Sequence, residues 1–199
     1  MSKKDSVNEE PKKKRRPRDL MDSLIIAFVI AMIIRTFLVS TYKIPSGSML
    51  ETLQLGDFLI GNKLAYIVGK PKFGDVAIFE YPLDPKMNFI KRVIGEPGDE
   101  IEIIDKVVYR NGKILDEPYK RIIDSSRNFK ADYVSKFKVP KGHYLMLGDN
   151  RDQSADSRFW GFVPEDAFRA KAWIIYFSKD PNKMFFSGIR WNRILDIVK

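Results

Sequence analysis

Cysteine is absent from this chain of 199 residues, and histidine occurs once, at His143. Without cysteine the protein can form no disulfide, no thiolate metal site and no thiol nucleophile. A single histidine excludes a metal site built from several imidazoles, and a Ser-His-Asp triad would have to use His143. These absences direct the search for catalytic groups to other side chains.

A long uninterrupted apolar run is also missing, because the longest one covers 11 residues, 24–34. The wider segment 20–42 has 23 residues, enough to cross a bilayer if Asp22 and Arg35 lie near its edges. It follows the basic string KKKRRPR directly, as the positive-inside rule predicts for a membrane span. We therefore expect one uncleaved transmembrane helix over 20–42, with the polar tail 1–19 in the cytoplasm and a domain of residues 43–199 outside it.

Other interpretations of this N-terminal region remain. A cleavable signal peptide fits the basic start, but the small-x-small cleavage pattern is missing from RTFLVSTYKIPSG, which follows the apolar core. A buried core helix has no need of the basic flank. Eight basic minus four acidic residues leave +4 of the net +9 in residues 1–19, which also permits nucleic acid binding. The span that follows the tail argues against that partner, and we expect no nucleic acid.

Beyond the span, short β-type runs alternate with turn signals such as PGD, NG, PKG and SKDPN. The NG of VVYRNGKIL predicts a tight hairpin, because both residues tolerate positive φ. Long helical periodicity is missing, so we expect a mainly β domain, as a folded-over barrel or a pair of sheets.

Residues 105–138 are more polar than their flanks and predict an inserted β-rich lobe. Segment 179–199 mixes aromatic and basic residues, which fits a packed C-terminal strand or an edge that touches lipid.

The first polar cluster, YKIPSGSMLETLQLGD at 42–57, follows the span directly. Gly47 lies between Ser46 and Ser48, so the backbone can turn sharply there and expose a hydroxyl. An SGS triplet is also common in ordinary turns, and by itself it predicts little.

The second cluster places two cations, Lys91 and Arg92, inside the apolar run FIKRVI. Alternate residues of a strand share a face, so one of the two must face inward or lie along the sheet surface. Burial lowers the pKa of a lysine because desolvation disfavours its charged form, and a neutral lysine can act as a general base. Two exposed cations on an edge strand are the simpler alternative.

The third cluster, GDNRDQSADSRFWGFVPE at 148–165, holds four acids, two arginines and two serines within eighteen residues. This density of polar side chains beside aromatic residues predicts a hydrogen-bonded network in a loop that supports a site. A purely structural loop, closed by Asp–Arg pairs, is the alternative.

Together, in this order and behind one apolar span, the three clusters resemble bacterial type I signal peptidases. The matching strings are IPSGSM with TL and GD after it, FIKRVIGEPGD and GDNRDQSADSRFWGFVP, and the resemblance covers roughly 24–104 and 141–178. It implies a signal-peptidase-like, mainly β catalytic domain behind one transmembrane helix in the bacterial cell membrane. It also implies a serine endopeptidase that removes signal peptides from exported preproteins after small-x-small motifs, with no metal and no other cofactor.

The resemblance further implies a role for each matching side chain. Ser48 matches the nucleophile and Lys91 matches its general base. Ser46 matches a hydroxyl donor to the oxyanion hole, together with the backbone N–H of Ser48, and Ser154 matches a hydroxyl that orients the lysine amine. The residues that match supports of the catalytic loop are Asp149, Asp156 and Arg158, and those that match the shallow substrate pockets are Ile44, Pro45, Met49, Leu53, Phe89 and Ile90.

The sequence departs from the family pattern at Glu51, where proline is common, and at Gln153, where asparagine is common. Neither departure removes a catalytic atom.

The implied partners are exported preproteins, the lipid bilayer and, by proximity, the secretion translocon. Two alternatives are a self-cleaving repressor-type Ser-Lys peptidase and a membrane-tethered binding protein. The span argues against the first, and the complete set of catalytic side chains argues against the second.

Overall fold

The computed structural model describes residues 17–123, 132–184 and 186–199. Its N-terminal helix, α1, runs from Pro17 to Ile33 and continues as a wider π-helical segment, Ile34–Leu38. The apolar part, Leu20–Leu38, has 19 residues and a mean hydropathy of 2.1, and none of it is buried. One exposed helix of this length and composition fits a membrane anchor.

The helix is shorter than the span expected over 20–42. Strand β1, Val39–Lys43, begins directly after it and pairs with the neighbouring strand along its whole length, from Val39 opposite Asn62 to Lys43 opposite Phe58. Residues 39–42 therefore belong to the sheet, since their Val, Thr and Tyr side chains favour extended backbone and a partner strand is available. Residues 1–16 of the expected cytoplasmic tail lie outside the described part of the chain.

The described residues after α1 are mainly β, as expected, and their strands form two antiparallel sheets. The strands are β1 Val39–Lys43, β2 Asp57–Asn62, β3 Val76–Tyr81, β4 Asp84–Gly95, β5 Glu100–Ile104, β6 Val107–Arg110, β7 Lys113–Ile114, β8 Val134–Lys138, β9 His143–Leu147, β10 Val163–Pro164, β11 Phe168–Ser178 and β12 Asp196–Ile197. Two short helices, α2 Leu64–Ile67 and α3 Ser157–Trp160, lie in the connections.

The larger sheet has the order β1–β2–β11–β3–β4–β9–β10, and β12 adds to β11. Its two end strands do not pair with each other within the described ranges, so this part of the chain forms sheets rather than a closed barrel. The long strand β11 pairs with both β2 and β3 through several bulges. Bulges bend a strand and increase its twist, which allows the sheet to fold over.

The second sheet has the order β7–β6–β5–β8 and lies between β4 and β9 in the chain. It overlaps the lobe expected over 105–138, but its strand β5 lies before those bounds. Asn111 (φ 53°) and Gly112 (φ 76°) connect β6 to β7, which confirms the predicted hairpin. Part of the expected lobe, 124–131, lies outside the described residues. A shared apolar cluster, with Ile94 and Leu147 from the larger sheet and Ile101 from the second, joins the two sheets.

The structure favours the packed interpretation of the C-terminal segment, 179–199. It packs against the larger sheet, where β12 pairs with β11 and Arg193 binds the buried carboxylate of Asp57 at 2.6 Å. The same segment also exposes Met184 and Trp191.

Candidate active site

The first polar cluster forms the loop between β1 and β2. Ser48 is 9% exposed and lies in a tight turn, in which Leu50 N–H donates to Gly47 O at 3.3 Å. Asp57, at the far end of the loop, accepts a hydrogen bond from Gln54 N–H at 2.8 Å. Hydrogen bonds within the loop therefore hold part of the backbone around Ser48.

Lys91 extends from β4 toward this turn, and its Nζ lies 2.7 Å from Ser48 Oγ and 3.1 Å from Ile90 O. Burial lowers the pKa of Lys91 to about 8, and the attraction of Asp156 and Asp149 for the charged form opposes part of that shift. A larger fraction of Lys91 is consequently neutral near pH 7 than of an exposed lysine. A neutral amine at this distance can accept the hydroxyl proton of Ser48.

Arg92, the neighbouring cation, is also buried, so the simpler alternative of two exposed cations is wrong. Its Nε and Nη2 donate to the two carboxylate oxygens of Asp149 at 2.9 and 2.7 Å. Thr52 Oγ1 donates to the same carboxylate at 2.5 Å. A buried guanidinium is tolerated here because a bidentate carboxylate compensates its charge. The two cations therefore have different contacts: Lys91 reaches the Ser48 hydroxyl, and Arg92 connects β4 to the third cluster.

The third cluster forms the loop after β9, and its predicted supporting residues are paired there. Asp156 is fully buried and accepts hydrogen bonds from Gly148 N–H at 3.1 Å and from Arg158 Nε at 2.8 Å. Arg158 Nη2 also donates to Arg151 O at 2.6 Å. These contacts close the loop on itself, while Asp149 connects it to β4. The loop is thus a hydrogen-bonded structural network, and its catalytic support role stays a prediction.

Sequence reasoning missed Asn150, which links the third cluster to the first. Its backbone N–H donates to Ser48 O at 3.1 Å, and its side-chain Nδ2 donates to Gly47 O at 2.9 Å. The second bond binds the peptide unit whose N–H belongs to Ser48, and this N–H is the predicted oxyanion donor. Asn150 is fully buried. Its place inside the matching string was the only signal that could have identified it.

The chain between β7 and β8 also reaches the site. Arg121 N–H donates to Asp149 O at 2.7 Å, and Arg151 N–H donates to Arg121 O at 3.0 Å. Glu117 forms a buried ion pair with the guanidinium of Arg151. The guanidinium of Arg121 pairs with Glu51, the residue that replaces the common proline. The departure at Glu51 therefore has an ionic partner in this chain.

The two remaining predicted hydroxyls differ in their surroundings. Ser46 is exposed, and its Oγ lies 3.4 Å from Ser48 Oγ. Ser154 is buried and packs against Gly148, but its Oγ has no hydrogen-bond partner in the described part of the chain. Ser154 is thus close to the catalytic loop backbone without a bond to Lys91, and its base-orienting role stays a prediction.

A cleft of about 440 Å³ opens beside Ser48 and Lys91. All six residues predicted to form substrate pockets line it, namely Ile44, Pro45, Met49, Leu53, Phe89 and Ile90. Gln153, the second departure from the family pattern, also lines the cleft. The arrangement therefore joins a hydroxyl, an amine of lowered pKa and an apolar groove.

His143 lies outside this arrangement. It begins β9, five residues before the catalytic loop, and its Nδ1 lies 3.1 Å from Lys141 O. The geometry therefore favours a Ser-Lys pair over a Ser-His-Asp triad.

Comparison with known proteins bears on the same part of the chain. A family model described as signal peptidase, peptidase S26 matches residues 18–177. Signal peptidase I of Pseudomonas aeruginosa is 34% identical, over 78% of this chain and 70% of that protein. Probable signal peptidase I-2 of Synechocystis is 40% identical, over 84% of this chain and 79% of that protein. Signal peptidase I of Aquifex aeolicus is 32% identical, over 78% and 82% respectively.

Proposed function

Because the chain belongs to the signal peptidase family, peptidase S26, we propose that it removes signal peptides from exported preproteins with a Ser48–Lys91 dyad. The observation that carries this mechanism is the 2.7 Å contact between Ser48 Oγ and Lys91 Nζ. The lysine is 5% exposed, so its amine is shielded from bulk water. Shielding favours the neutral form that a general base needs.

In the first chemical step, neutral Lys91 accepts the proton of Ser48 Oγ while that oxygen attacks the scissile carbonyl carbon. The tetrahedral intermediate then collapses, the C–N bond breaks, and Lys91 returns the proton to the leaving amine. The product of this step is an acyl ester on Ser48. Lys91 next takes a proton from water, whose oxygen attacks the ester carbonyl carbon. The bond to Ser48 Oγ then breaks, Lys91 gives its proton to that oxygen, and the carboxylic acid product leaves.

Stabilisation of the oxyanion falls to the backbone N–H of Ser48 and the hydroxyl of Ser46. The Ser46 hydroxyl stands 3.4 Å from the nucleophile, close enough to reach an oxyanion formed there. The hydrogen bond from Asn150 to Gly47 O supports the N–H donor, because it fixes the plane of the shared peptide unit. Donors that are already oriented cost no rearrangement when the charge develops.

Substrate recognition would use the free edge of β4 beside the cleft. Within the described residues, Asn88, Phe89 and Ile90 pair with β3 on one side, and β9 joins β4 from Arg92 onward. An extended peptide can add to such an edge by backbone hydrogen bonds. Its alternate side chains then face the same way, so the first and third residues before the cut would enter the apolar cleft together. This spacing accounts for the paired first and third positions of a small-x-small motif, while the preference for small side chains there is what the family resemblance implies.

The anchor sets where this reaction would occur. The basic string before α1 supports a single-pass orientation with the N-terminus in the cytoplasm and the domain outside it. Signal peptides emerge at that outer surface, so we place the protein in the bacterial cell membrane, in contact with lipid and close to the secretion translocon.

The test is cleavage of a preprotein with Ala-x-Ala before its cut site, by detergent-solubilised protein. We expect Ser48→Ala and Lys91→Ala to abolish cleavage, and the wild-type kcat/KM to rise with pH through about 8, where Lys91 loses its proton. The matched controls are Ser135→Ala and Lys136→Ala, an exposed serine and lysine on β8. These two variants should cleave normally.

Each alternative predicts a different result in the same assay. Normal cleavage by Lys91→Ala would refute the dyad, and a repressor-type protein would cut its own chain instead of the preprotein. A tethered binding protein would retain the preprotein without cutting it.

A further inference from the structure

Lys106 is a buried lysine of the inserted lobe. It lies in the two-residue turn between β5 and β6, where Asp105 and Lys106 have φ angles of 48° and 64°. Positive φ is unfavourable for most residues other than glycine, asparagine and aspartate. Only 4% of Lys106 is exposed, and a buried charge is costly unless it is paired. The side chain and the backbone of this residue therefore both need compensating contacts, and those contacts lead to the catalytic loop.

The amine of Lys106 contacts two carboxylates. Its Nζ lies 3.0 Å from Asp152 Oδ1, in the loop after β9, and 3.9 Å from Asp132 Oδ2, just before β8. All three side chains are at most 7% exposed. The other oxygen of Asp152 accepts a hydrogen bond from Ile123 N–H at 2.8 Å. Lys106 thereby joins the inserted lobe to the catalytic loop by buried ionic contacts, which salt screens little.

The contacts continue from Asp132 to a residue that acts on Lys91. Arg158 Nη1 lies 3.7 Å from Asp132 Oδ1, and the same guanidinium donates to Asp156 from Nε at 2.8 Å and from Nη2 at 2.9 Å. Asp156 in turn attracts the charged form of Lys91. Arg158 is therefore shared between two carboxylates, and its position between them sets how much of the negative charge of Asp156 acts on Lys91.

The charges around Lys91 lie on the catalytic loop and on β4. Asp149 and Asp156 belong to the loop, and Arg92 follows Lys91 on the strand. Asp149 and Arg92 neutralise each other through a contact of 2.7 Å. In the loop of the nucleophile, Glu51 is largely exposed and has its own ionic partner. The charge of Asp156 is therefore the one that contacts with Lys106 can alter.

We propose that Lys106 is a positioning residue for the peptidase reaction, which acts from the inserted lobe by keeping Arg158 on Asp156. This inference deepens the proposed function and rests on it. With the amine of Lys106 present, Asp132 is partly neutralised and competes weakly for Arg158. Without the amine, Asp132 attracts Arg158 more strongly. The carboxylate of Asp156 is then less neutralised, and it stabilises the protonated form of Lys91.

The test is the pH profile of kcat/KM for the Ala-x-Ala preprotein, measured with the full chain. Lys106→Met removes the charge and keeps most of the side-chain length. We expect the midpoint of its profile to rise by about half a unit from the wild-type value near 8, with a lower kcat at neutral pH. Lys106→Arg restores a cation and should keep the wild-type midpoint. The matched control is Lys113→Met, an exposed lysine of the same lobe, which should leave the profile unchanged.

The variant Asp152→Asn is an independent test with the opposite sign. It removes one carboxylate, so the amine of Lys106 neutralises Asp132 more fully and Arg158 stays on Asp156. We expect the midpoint to move to lower pH. The double variant with Lys106→Met should return toward the wild-type midpoint, because the two changes of charge cancel. The matched control is Asp116→Asn, an exposed acid of the same lobe, which should not move the midpoint.

A merely structural role of Lys106 predicts a different pattern. Both single variants would then lower kcat without moving the midpoint, and this result would overturn the proposal. Unchanged kcat and midpoint in Lys106→Met would also overturn it. If Lys106→Met does not fold, a wild-type midpoint in Asp152→Asn has the same consequence. Absence of cleavage by the wild type, or normal cleavage by Lys91→Ala, would refute the proposed function itself and this inference with it.

Discussion

Lys91 is an ionisable side chain in a buried position, and its proposed catalytic role depends on the lowered pKa that results. The fold removes its amine from water and lowers its pKa from 10.5 to about 8. The same burial must reduce the stability of the protein whenever Lys91 is protonated, because pKa shifts and folding free energy are linked.

Replacement of Lys91 by methionine should therefore stabilise the protein at low and neutral pH. The folded-state pKa lies below the unfolded one, so the unfolded chain binds more protons between about 8 and 10.5, and wild-type stability rises with pH in that window. The advantage of Lys91→Met should reach about 3 kcal/mol below pH 8 and shrink toward pH 10.5. Denaturant unfolding at several pH values measures it. A pH-independent difference, or the same trend in the exposed Lys113→Met, would contradict this account.

Asn150 should act on the rate through the position of Ser48. Asn150→Asp removes the donor to Gly47 O and places a carboxylate against that carbonyl. We expect kcat to fall by about 100-fold with little change in KM, because small displacements of catalytic groups have effects of that size. Kinetics with kcat and KM determined separately test this, with the exposed Asn182→Asp as control. An effect confined to KM would show that Asn150 serves substrate binding instead.

At the scale of elements, three pieces of chain that are distant in sequence meet at the site. The β1–β2 loop supplies the hydroxyl, β4 supplies the amine, and the loop after β9 holds both through Asn150 and Asp149. The segment before β8 adds a further link, because Arg121 bonds to the catalytic loop with its backbone and to Glu51 with its side chain.

The Glu51–Arg121 pair should contribute modestly to the position of the nucleophile loop. Both side chains are partly exposed, and such pairs contribute up to about 1 kcal/mol, which is roughly a fivefold effect. We expect Glu51→Arg to lower kcat/KM by that factor and the double reversal with Arg121→Glu to restore most of it. The matched control is the exposed pair Lys136–Glu100, whose reversal should leave kcat/KM unchanged. Failure of the double variant to recover would mean that Glu51 acts without Arg121.

At the scale of the whole molecule, the anchor restricts where the nucleophile can be. The apolar helix ends at Leu38, ten residues before Ser48. A fully extended chain covers about 3.5 Å per residue, so Ser48 lies within about 35 Å of the helix end. The proposed peptidase would therefore cut close to the membrane surface.

The predictions from sequence succeeded where a feature depends on neighbouring residues. The NG hairpin follows from two residues that tolerate positive φ, and the apolar helix follows from one continuous stretch. The end of that helix was placed four residues too late, because β1 pairs with β2 instead of continuing the helix, and its partner residues are 15 to 23 positions away in sequence. Burial of Arg92 was missed for the same reason, since its carboxylate partner is 57 residues distant.

The features of the candidate site also divide into those set by residue type and those set by the fold. The types of residue at positions 48 and 91, the lack of cysteine and the single histidine restricted the chemistry before any fold was known. Three other features arise only when distant segments of the chain come together. They are the contact between these two residues across 43 positions, the lowered pKa of Lys91, and the hydrogen bond from Asn150 to Gly47 O. The physical reason is that residue identity sets which groups can donate or accept a proton, whereas desolvation and hydrogen-bond geometry depend on what packs around them.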